Sequence, residues 1–95
     1  LVLEIDGAVV GISHFSFTHS TWSESQDLYL EDLFVDPAAR GKGFGRALIE
    51  ATAAFGKQHG ARKLYWQTHR DNATAQKLYE TLAVKSEFVI YEKTI

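Results

Sequence analysis

Hydrophobic residues recur along the chain in two patterns, the alternation typical of a strand and the spacing of three to four residues typical of a helix. These patterns divide the chain into strand-like and helix-like parts. The first third carries three β-rich runs, at residues 1–5, 8–17 and 28–35, and the polar stretch 19–27 predicts a loop before the third run. Asp6-Gly7, between the first two runs, is typical of a two-residue hairpin turn. We therefore expect an antiparallel meander at the start of the fold.

The rest of the chain alternates helical and strand-like patterns. Residues 43–59 carry apolar side chains at positions 44, 47, 48, 51 and 55, which predicts a helix that ends at Gly60. A strand is predicted at 64–68, a second helix after the N-cap residue Asn72 with apolar positions 75, 78, 79 and 82, and a last strand at 88–91. The βββαβαβ order indicates a single α/β domain over residues 1–95, with a mixed, mostly antiparallel sheet.

Composition excludes several classes of site. The chain contains no cysteine, which excludes a disulfide framework, a thiolate metal site and a cysteine nucleophile. Its four histidines show no metal-ligand spacing, and no apolar run has the roughly 18–20 residues of a membrane span. We therefore expect no metal and no membrane partner, and a cytoplasmic location is the default. Because the chain lacks methionine and begins inside a strand pattern, we expect it to be part of a longer fold.

Charge is distributed unevenly, although the formal net charge is only −2. Residues 1–39 hold seven acids and no lysine or arginine, whereas residues 40–95 hold ten bases and five acids. This asymmetry predicts that an acidic surface binds a cation and that a basic surface binds an anion. The alternative is that the charges cluster by chance on solvated faces. A single local cluster of bases, Arg40, Lys42 and Arg46, does not predict nucleic acid as the main partner.

The stretch from Arg40 to Arg46 carries the strongest signal of a binding site. It has three alternating glycines and leads into the first helix without a Ser, Thr, Asp or Asn to cap it. Uncapped N–H groups, the positive end of the helix dipole and three basic side chains together favour an anion such as a phosphate. The pattern is neither a P-loop, which needs Gly-Lys-Ser/Thr, nor a G-x-G-x-x-G fingerprint. A glycine turn needed only for tight packing is the alternative.

Two blocks of sequence resemble one known family. Arg40-x-x-Gly43-x-Gly45, after a strand that ends Leu33-x-Val35, resembles the acetyl-coenzyme A (acetyl-CoA) loop of the GNAT superfamily of N-acetyltransferases. Residues 72–80 are similar to a second block of that family, and residues 29–37 resemble its histone-acetyltransferase-like bacterial branch. The resemblance covers about residues 3–93 and implies the GNAT fold without its first strand and first two helices. Residues 83–84 are Ala-Val in place of the family's usual Gly-Phe.

The resemblance implies an enzyme that moves acetyl from acetyl-CoA, as co-substrate, to a primary amine, either a small cationic amine or a lysine side chain. It implies that backbone groups of Leu33, Phe34 and Val35 pair with the pantetheine arm, that Asn72 touches this arm, and that Tyr79 lies beside the thioester sulfur. The residues implied for the pyrophosphate are Arg40, Gly41, Lys42, Gly43, Phe44, Gly45 and Arg46. A catalytically silent CoA-binding regulatory module is the alternative function.

Glu31 and Tyr79 are the candidate catalytic residues. Strict alternation along the third strand puts Glu31 on one face with Leu33 and Val35, where its carboxylate can take the proton of the amine. Asp32, on the opposite face, is the competing base, and either carboxylate alone can also be a solvated strand residue. Tyr79 lies on the inward stripe of its helix and is expected to be the general acid, with a core tyrosine as the alternative.

Three other side chains are weaker candidates. His14 is expected as a base or an acceptor contact, with a satisfied sheet histidine as the alternative, and His19 and Trp22 are expected to border the acceptor. A backbone N–H near Phe34 or Val35 is expected to polarise the thioester carbonyl.

Because the chain is short and leaves sheet surface to cover, we also expect a homodimer.

Overall fold

Four strands and two α-helices form the part of the chain that the computed structural model describes, residues 1–19 and 26–95. The elements are β1 (Val2–Ile5), β2 (Ala8–His19), β3 (Gln26–Val35), α1 (Phe44–Gln58), β4 (Ala61–Tyr65) and α2 (Ala73–Leu82), with a short 3-10 helix at Pro37–Ala39. The strands lie in the order β1-β2-β3-β4 and are antiparallel except for the parallel pair β3–β4. The predicted mixed α/β architecture is confirmed.

The Asp6-Gly7 turn joins β1 to β2 as predicted. Both residues have a positive φ, 51° for Asp6 and 81° for Gly7, which is what a tight two-residue hairpin turn requires. β2 continues to His19 and β3 begins at Gln26, so the strands extend into both ends of the predicted loop 19–27. Trp22 lies outside the described residues.

Helix α1 packs on one face of β2 and β3 and builds the core. Leu28, Leu30, Leu48 and Ile49 are each at most 5% exposed. The contact is close because Gly56 faces Leu28: a Cβ built on Gly56 would lie 2.8 Å from the Leu28 Cδ2 atom. Burying a leucine side chain contributes roughly 1.5–3 kcal/mol, so this layer holds the helix at a fixed position over β3.

Two predicted strands differ from the structure. β4 spans Ala61–Tyr65 instead of 64–68, because its pairing with β3 begins directly after Gly60 and ends at Tyr65. The strand predicted at 88–91 is wrong: residues 83–95 contain no helix or strand, and the side chains of 88–91 are 66–92% exposed. A segment of high β propensity forms a strand only where a neighbour completes the ladder, and none lies along it in the described chain.

A buried pair of hydroxyl groups joins β2 to α1. The Oγ atom of Ser13 lies 2.8 Å from the Oγ1 atom of Thr52, and the two residues are 2% and 0% exposed. Thr52 donates its only hydroxyl proton to the Leu48 carbonyl, at 2.7 Å. Ser13 is therefore the donor in the pair and Thr52 the acceptor.

We expect Thr52→Val to destabilise the fold more than Ser13→Ala does. The valine leaves the buried Ser13 hydroxyl without an acceptor, at a cost of about 1–3 kcal/mol, whereas Ser13→Ala leaves the Thr52 proton on the Leu48 carbonyl. The double variant should lose less stability than the sum of the two single losses. Urea unfolding measures all three free energies, and equal, additive losses would contradict this assignment of donor and acceptor.

Candidate functional site

The loop before α1 presents backbone N–H groups to open space. Gly43 is the N-cap residue, with a φ of 79°, and no side chain caps the helix, as predicted. In the described part of the chain, the N–H groups of residues 44–46 have no hydrogen-bond acceptor. A Cβ built on Gly41 or Gly43 would meet no atom within 4 Å. Free donors and open space at the positive end of a helix fit an anionic group.

The three basic side chains of this loop have different surroundings. The Nε atom of Arg40 donates to the carbonyl of the last β3 residue, at 3.4 Å. Arg46 extends toward α2: its Nη2 atom donates to Thr81 Oγ1, at 2.7 Å, and its Nη1 atom lies 3.8 Å from Glu50 Oε1. Lys42 is exposed and pairs with no carboxylate within residues 1–19 and 26–95. In the described chain, Lys42 and the terminal nitrogens of Arg40 are thus free to meet an anion, while Arg46 is engaged.

One edge of β3 has no partner strand beyond Tyr29 in the described chain. The parallel pairing with β4 ends at Tyr29 and Tyr65, but β3 continues through residues 30–35. β2 occupies only the other edge, and alternate residues of a strand direct their N–H and C=O groups to opposite edges. Both backbone groups of Ser13 bond to Leu1, so the opposed residue Leu33 directs its own groups away from β2, and Val35 does the same two residues later. Phe34 instead faces Ile12 of β2, so the expectation that its backbone pairs with the pantetheine arm does not fit the register. The free groups of Leu33 and Val35 lead to the glycine-rich loop of residues 40–46 (the glycine loop).

A β-bulge at Glu31 overturns the predicted faces of β3. His14 pairs with Asp32, and the next residue of β2 pairs with Leu30, so Glu31 is an extra residue in the ladder. Both carboxylates contact His14 and project from the same face of the sheet. The prediction that Asp32 lies opposite Glu31 was wrong, because strict alternation fails at a bulge.

Past the bulge, Leu33 and Val35 face α1 and do not share a face with Glu31, contrary to the prediction. Leu33 pairs with Ser13, whose hydroxyl contacts the helix. Val35 pairs with Gly11, where a Cβ would lie 2.7 Å from a side-chain atom of α1. Directly opposed residues of antiparallel strands share a face, so one side of β3 here is apolar and packed and the other is acidic and open.

His14 lies between the two carboxylates on this open face. Its Nε2 atom is 3.4 Å from Glu31 Oε2, and its Nδ1 atom is 3.5 Å from Asp32 Oδ2. Ser16 donates its hydroxyl proton to Glu31 Oε1, at 3.3 Å. The side chains of His14, Glu31 and Asp32 are 66%, 39% and 80% exposed, so Glu31 is the most sheltered of the three. Both of its oxygens have a partner, yet solvent and solutes can reach it.

Tyr79 lines an open groove between β4 and α2. Its ring meets the Trp66 ring edge-on, with 5.3 Å between the centroids and 72° between the planes. The groove has a volume of about 410 Å³. Tyr79 is half-buried, and its hydroxyl has no hydrogen-bond partner among the described residues. A free phenol differs from the buried, hydrogen-bonded tyrosine that the core alternative requires.

Asn72 serves α2 as its N-cap, as predicted. Its Oδ1 atom accepts from the Ala75 N–H, at 3.1 Å, and its amide nitrogen remains for other contacts. Of the two described α-helices, α2 is therefore capped by a side chain and α1 is not. The missing cap lies where the sequence predicts an anion.

Sequence reasoning missed three side chains of the site. Ser16 follows His14 by two residues on the same strand, and this spacing alone places both on one face. Trp66 and Thr81 have no comparable signal, because their contacts depend on how α2 docks. His19, one of the expected acceptor neighbours, is an exposed residue at the end of β2.

Neither a metal cluster nor a membrane-spanning helix is present in the part of the chain that the structure describes. No group of three or more His, Cys, Asp or Glu side chains in residues 1–19 and 26–95 is arranged to hold a metal ion. Both α1 and α2 lack the length and apolar character needed to cross a bilayer.

The chain is similar to acetyltransferases with different named substrates. It is 34% identical to D-amino-acid N-acetyltransferase of Saccharomyces cerevisiae over 87 residues, which cover 92% of this chain and 54% of that protein. It is also 34% identical to thialysine N-epsilon-acetyltransferase of Bos taurus over 77 residues, 81% of this chain and 45% of that protein. An aminoglycoside N-acetyltransferase in complex with CoA has the same fold, with a TM-score of 0.82 at 28% identity over 99% of this chain and 73% of that one.

A sequence model of one protein family agrees with these similarities. The chain spans about half the length of the curated relatives it matches. The sequence model of the Acetyltransferase (GNAT) family matches residues 1–83, which include β1–β4, the glycine loop and both helices. In sequence and in fold, the chain belongs to the GNAT family of acetyltransferases.

Proposed function

We propose that the protein transfers an acetyl group from acetyl-CoA to a primary amine by direct attack on the thioester. The observation that carries the proposal is the uncapped N-terminus of α1, which follows the free edge of β3. Similar proteins are named for D-amino acids, thialysine and aminoglycosides, all of which contain amino groups. The acceptor class of this protein is therefore a small cationic amine or a lysine side chain.

Acetyl-CoA matches the two free backbone surfaces. The N–H groups at the start of α1 and the Lys42 ammonium group suit the pyrophosphate, since both supply positive charge in open space. The amide groups of a pantetheine arm are donors and acceptors like those of a peptide, and they suit the free edge at Leu33 and Val35. Asn72 has an amide nitrogen for the same arm. Bound acetyl-CoA supplies the acetyl group as an activated thioester.

Three groups of the chain handle the proton and the charge. Glu31 takes the proton that the amine loses when its nitrogen bonds to the acetyl carbon. The backbone N–H of Val35, which faces the free edge of β3, stabilises negative charge on the carbonyl oxygen, and the Tyr79 hydroxyl donates its proton to the departing thiolate. No covalent intermediate on the protein is needed, which agrees with the absence of cysteine.

Release of free CoA thiol in the presence of an amine tests the proposed function. The panel comprises polyamines, D- and L-amino acids, aminoglycosides and lysine peptides, with acetyl-CoA alone as the blank. Amine-dependent release supports the proposal and identifies the acceptor. Calorimetric binding of CoA without release for any amine would instead identify a silent CoA-binding module.

The homodimer stays a prediction.

We expect Gly43→Ala to weaken CoA binding at least about tenfold, which is about 1.4 kcal/mol. The new methyl group would occupy the open space in front of the free N–H groups and keep a phosphate away from them. Because Gly43 has a φ of 79°, the alanine also strains the backbone by about 1–2 kcal/mol. Calorimetric titration with CoA gives the dissociation constant, and urea unfolding gives the loss of stability.

Gly60→Ala is the matched control for that strain. Gly60 has a φ of 83°, and a Cβ there would also meet nothing within 4 Å, but it lies after the C-terminal end of α1. Both variants should lose similar stability, and only Gly43→Ala should lose affinity for CoA. An unchanged dissociation constant in a folded Gly43→Ala protein would disprove the pyrophosphate site.

We expect Tyr79→Phe to lower kcat by roughly 10–10³-fold and to leave the dissociation constant of CoA nearly unchanged. The substitution keeps the ring against Trp66 and removes only the hydroxyl, which the described structure leaves unpaired. Steady-state kinetics with the preferred amine measure the change. Tyr91→Phe, at a residue that is 92% exposed, is the control and should retain full activity. A Tyr79→Phe enzyme with full kcat while chemistry limits the rate would make Tyr79 a packing residue only.

We expect the KM of the preferred amine to rise with salt concentration while kcat changes little. Glu31 and Asp32 attract a cationic acceptor, and exposed charges are screened beyond a distance of about 10 Å at 0.1 M salt. Initial rates at several ionic strengths, with acetyl-CoA saturating, give KM and kcat separately. A neutral or anionic preferred acceptor, with a KM that salt does not change, would refute the cationic class.

A further inference from the structure

His14 joins two carboxylates that the bulge brings to the same face of the sheet. Each nitrogen of the imidazole faces a different acid, Nε2 toward Glu31 at 3.4 Å and Nδ1 toward Asp32 at 3.5 Å. An imidazole ring can accept a proton at one nitrogen and release a proton from the other. The three side chains therefore form a continuous line from the most sheltered carboxylate, 39% exposed, to the most open one, 80% exposed.

The cluster adds little to the stability of the fold. All three side chains are more than a third exposed, and exposed ion pairs contribute between nothing and about 1 kcal/mol. The extra residue that brings the acids together also interrupts the ladder between β2 and β3. The stability of these ion pairs therefore does not explain why an imidazole stands between two acids, and proton transfer gives the arrangement a role.

Ser16 is the second residue of β2 that contacts the Glu31 carboxylate. Its hydroxyl donates to Oε1, at 3.3 Å, while His14 faces Oε2. Each carboxylate oxygen of Glu31 therefore has one neighbour on β2. Its Oε2 atom has the imidazole as a neighbour that can take a proton.

We propose that His14 is the proton relay of Glu31, and that it carries the proton of the amine from the Glu31 carboxylate to solvent. This inference rests on the proposed acetyl transfer. The amine reacts in its neutral form, after its ammonium group has released one proton to water. It then gives a second proton to Glu31 as its nitrogen bonds to the acetyl carbon and the carbon–sulfur bond breaks. Glu31 passes that proton from Oε2 to Nε2 of His14, and the ring then releases its Nδ1 proton to Asp32 or directly to water. The thiolate receives its proton separately, from Tyr79, which regains one from solvent.

His14 is a positioning residue in this scheme, because it acts through Glu31 and touches neither the amine nor the thioester. Its replacement should therefore affect turnover more than binding. A side chain that only holds Glu31 in place could be replaced by any hydrogen-bond donor of similar size. A relay needs a group that accepts and releases protons.

His14→Ala and His14→Gln in the full protein distinguish these roles. We expect both variants to lower kcat about tenfold or more, with the KM of the amine and the dissociation constant of CoA within about twofold of the parent. Glutamine can hydrogen-bond to Glu31 but cannot relay a proton, so it should be no better than alanine. Free imidazole in the buffer should restore part of the kcat of His14→Ala, since the exposed cavity admits it.

His59→Gln is the matched control. His59 is exposed, lies at the C-terminal end of α1 and stacks on Phe55, so its loss should leave kcat unchanged with or without imidazole. Full kcat in His14→Gln, or in His14→Ala without imidazole, would overturn the relay while acetyl transfer by the parent protein stands. Absence of amine-dependent thiol release in the parent would overturn the proposed function itself, and the relay with it.

Discussion

The packing of α1 on β3 determines where the glycine loop lies relative to the free edge of the strand. Because Gly56 allows the helix to contact Leu28 directly, α1 is held close over the strand that precedes it. The chain that joins them is short, and Arg40 anchors it to the last carbonyl of β3. The free N–H groups of the helix and the free edge of the strand therefore belong to a single rigid unit. A ligand that uses both meets a surface whose two parts are already aligned.

The bulge at Glu31 lets the same strand pack against α1 and also present two acids on the open face of the sheet. Before it, Leu28 and Leu30 face the helix, and after it Leu33 and Val35 again do so. A regular strand would have turned one of these pairs away from the core. The extra residue keeps both pairs packed and places two successive acids on the open face. The apolar core and the acidic surface are therefore consequences of one local irregularity.

Local sequence patterns were sufficient where a short segment determines its own structure. The Asp6-Gly7 turn, the two helices, the N-cap at Asn72 and the missing cap of α1 all follow from residue types at fixed spacing. The bulge could not be predicted in this way, because the adjacent acids Glu31 and Asp32 fit either a regular or a bulged strand. The strand predicted at 88–91 failed for a related reason: β propensity needs a partner, and a single sequence does not say whether one is present. For the candidate site, the uncapped helix N-terminus at the glycine loop was identifiable, whereas the face of Glu31 depends on the bulge and the contacts of Trp66 and Thr81 depend on the docking of α2. The catalytic roles of Glu31 and Tyr79 stay predictions.

Burial is very unequal between the two helices. α1 has four buried residues, whereas α2 has none, and the segment after α2 is exposed. Regions with few buried contacts open locally at a lower free energy than the core. The phenol of Tyr79 is thus carried by a helix with fewer buried contacts than α1, and the carboxylate of Glu31 by the strand on which the core packs. Local opening of α2 would therefore widen the groove over β4, while the acidic face on β2 and β3 keeps its geometry.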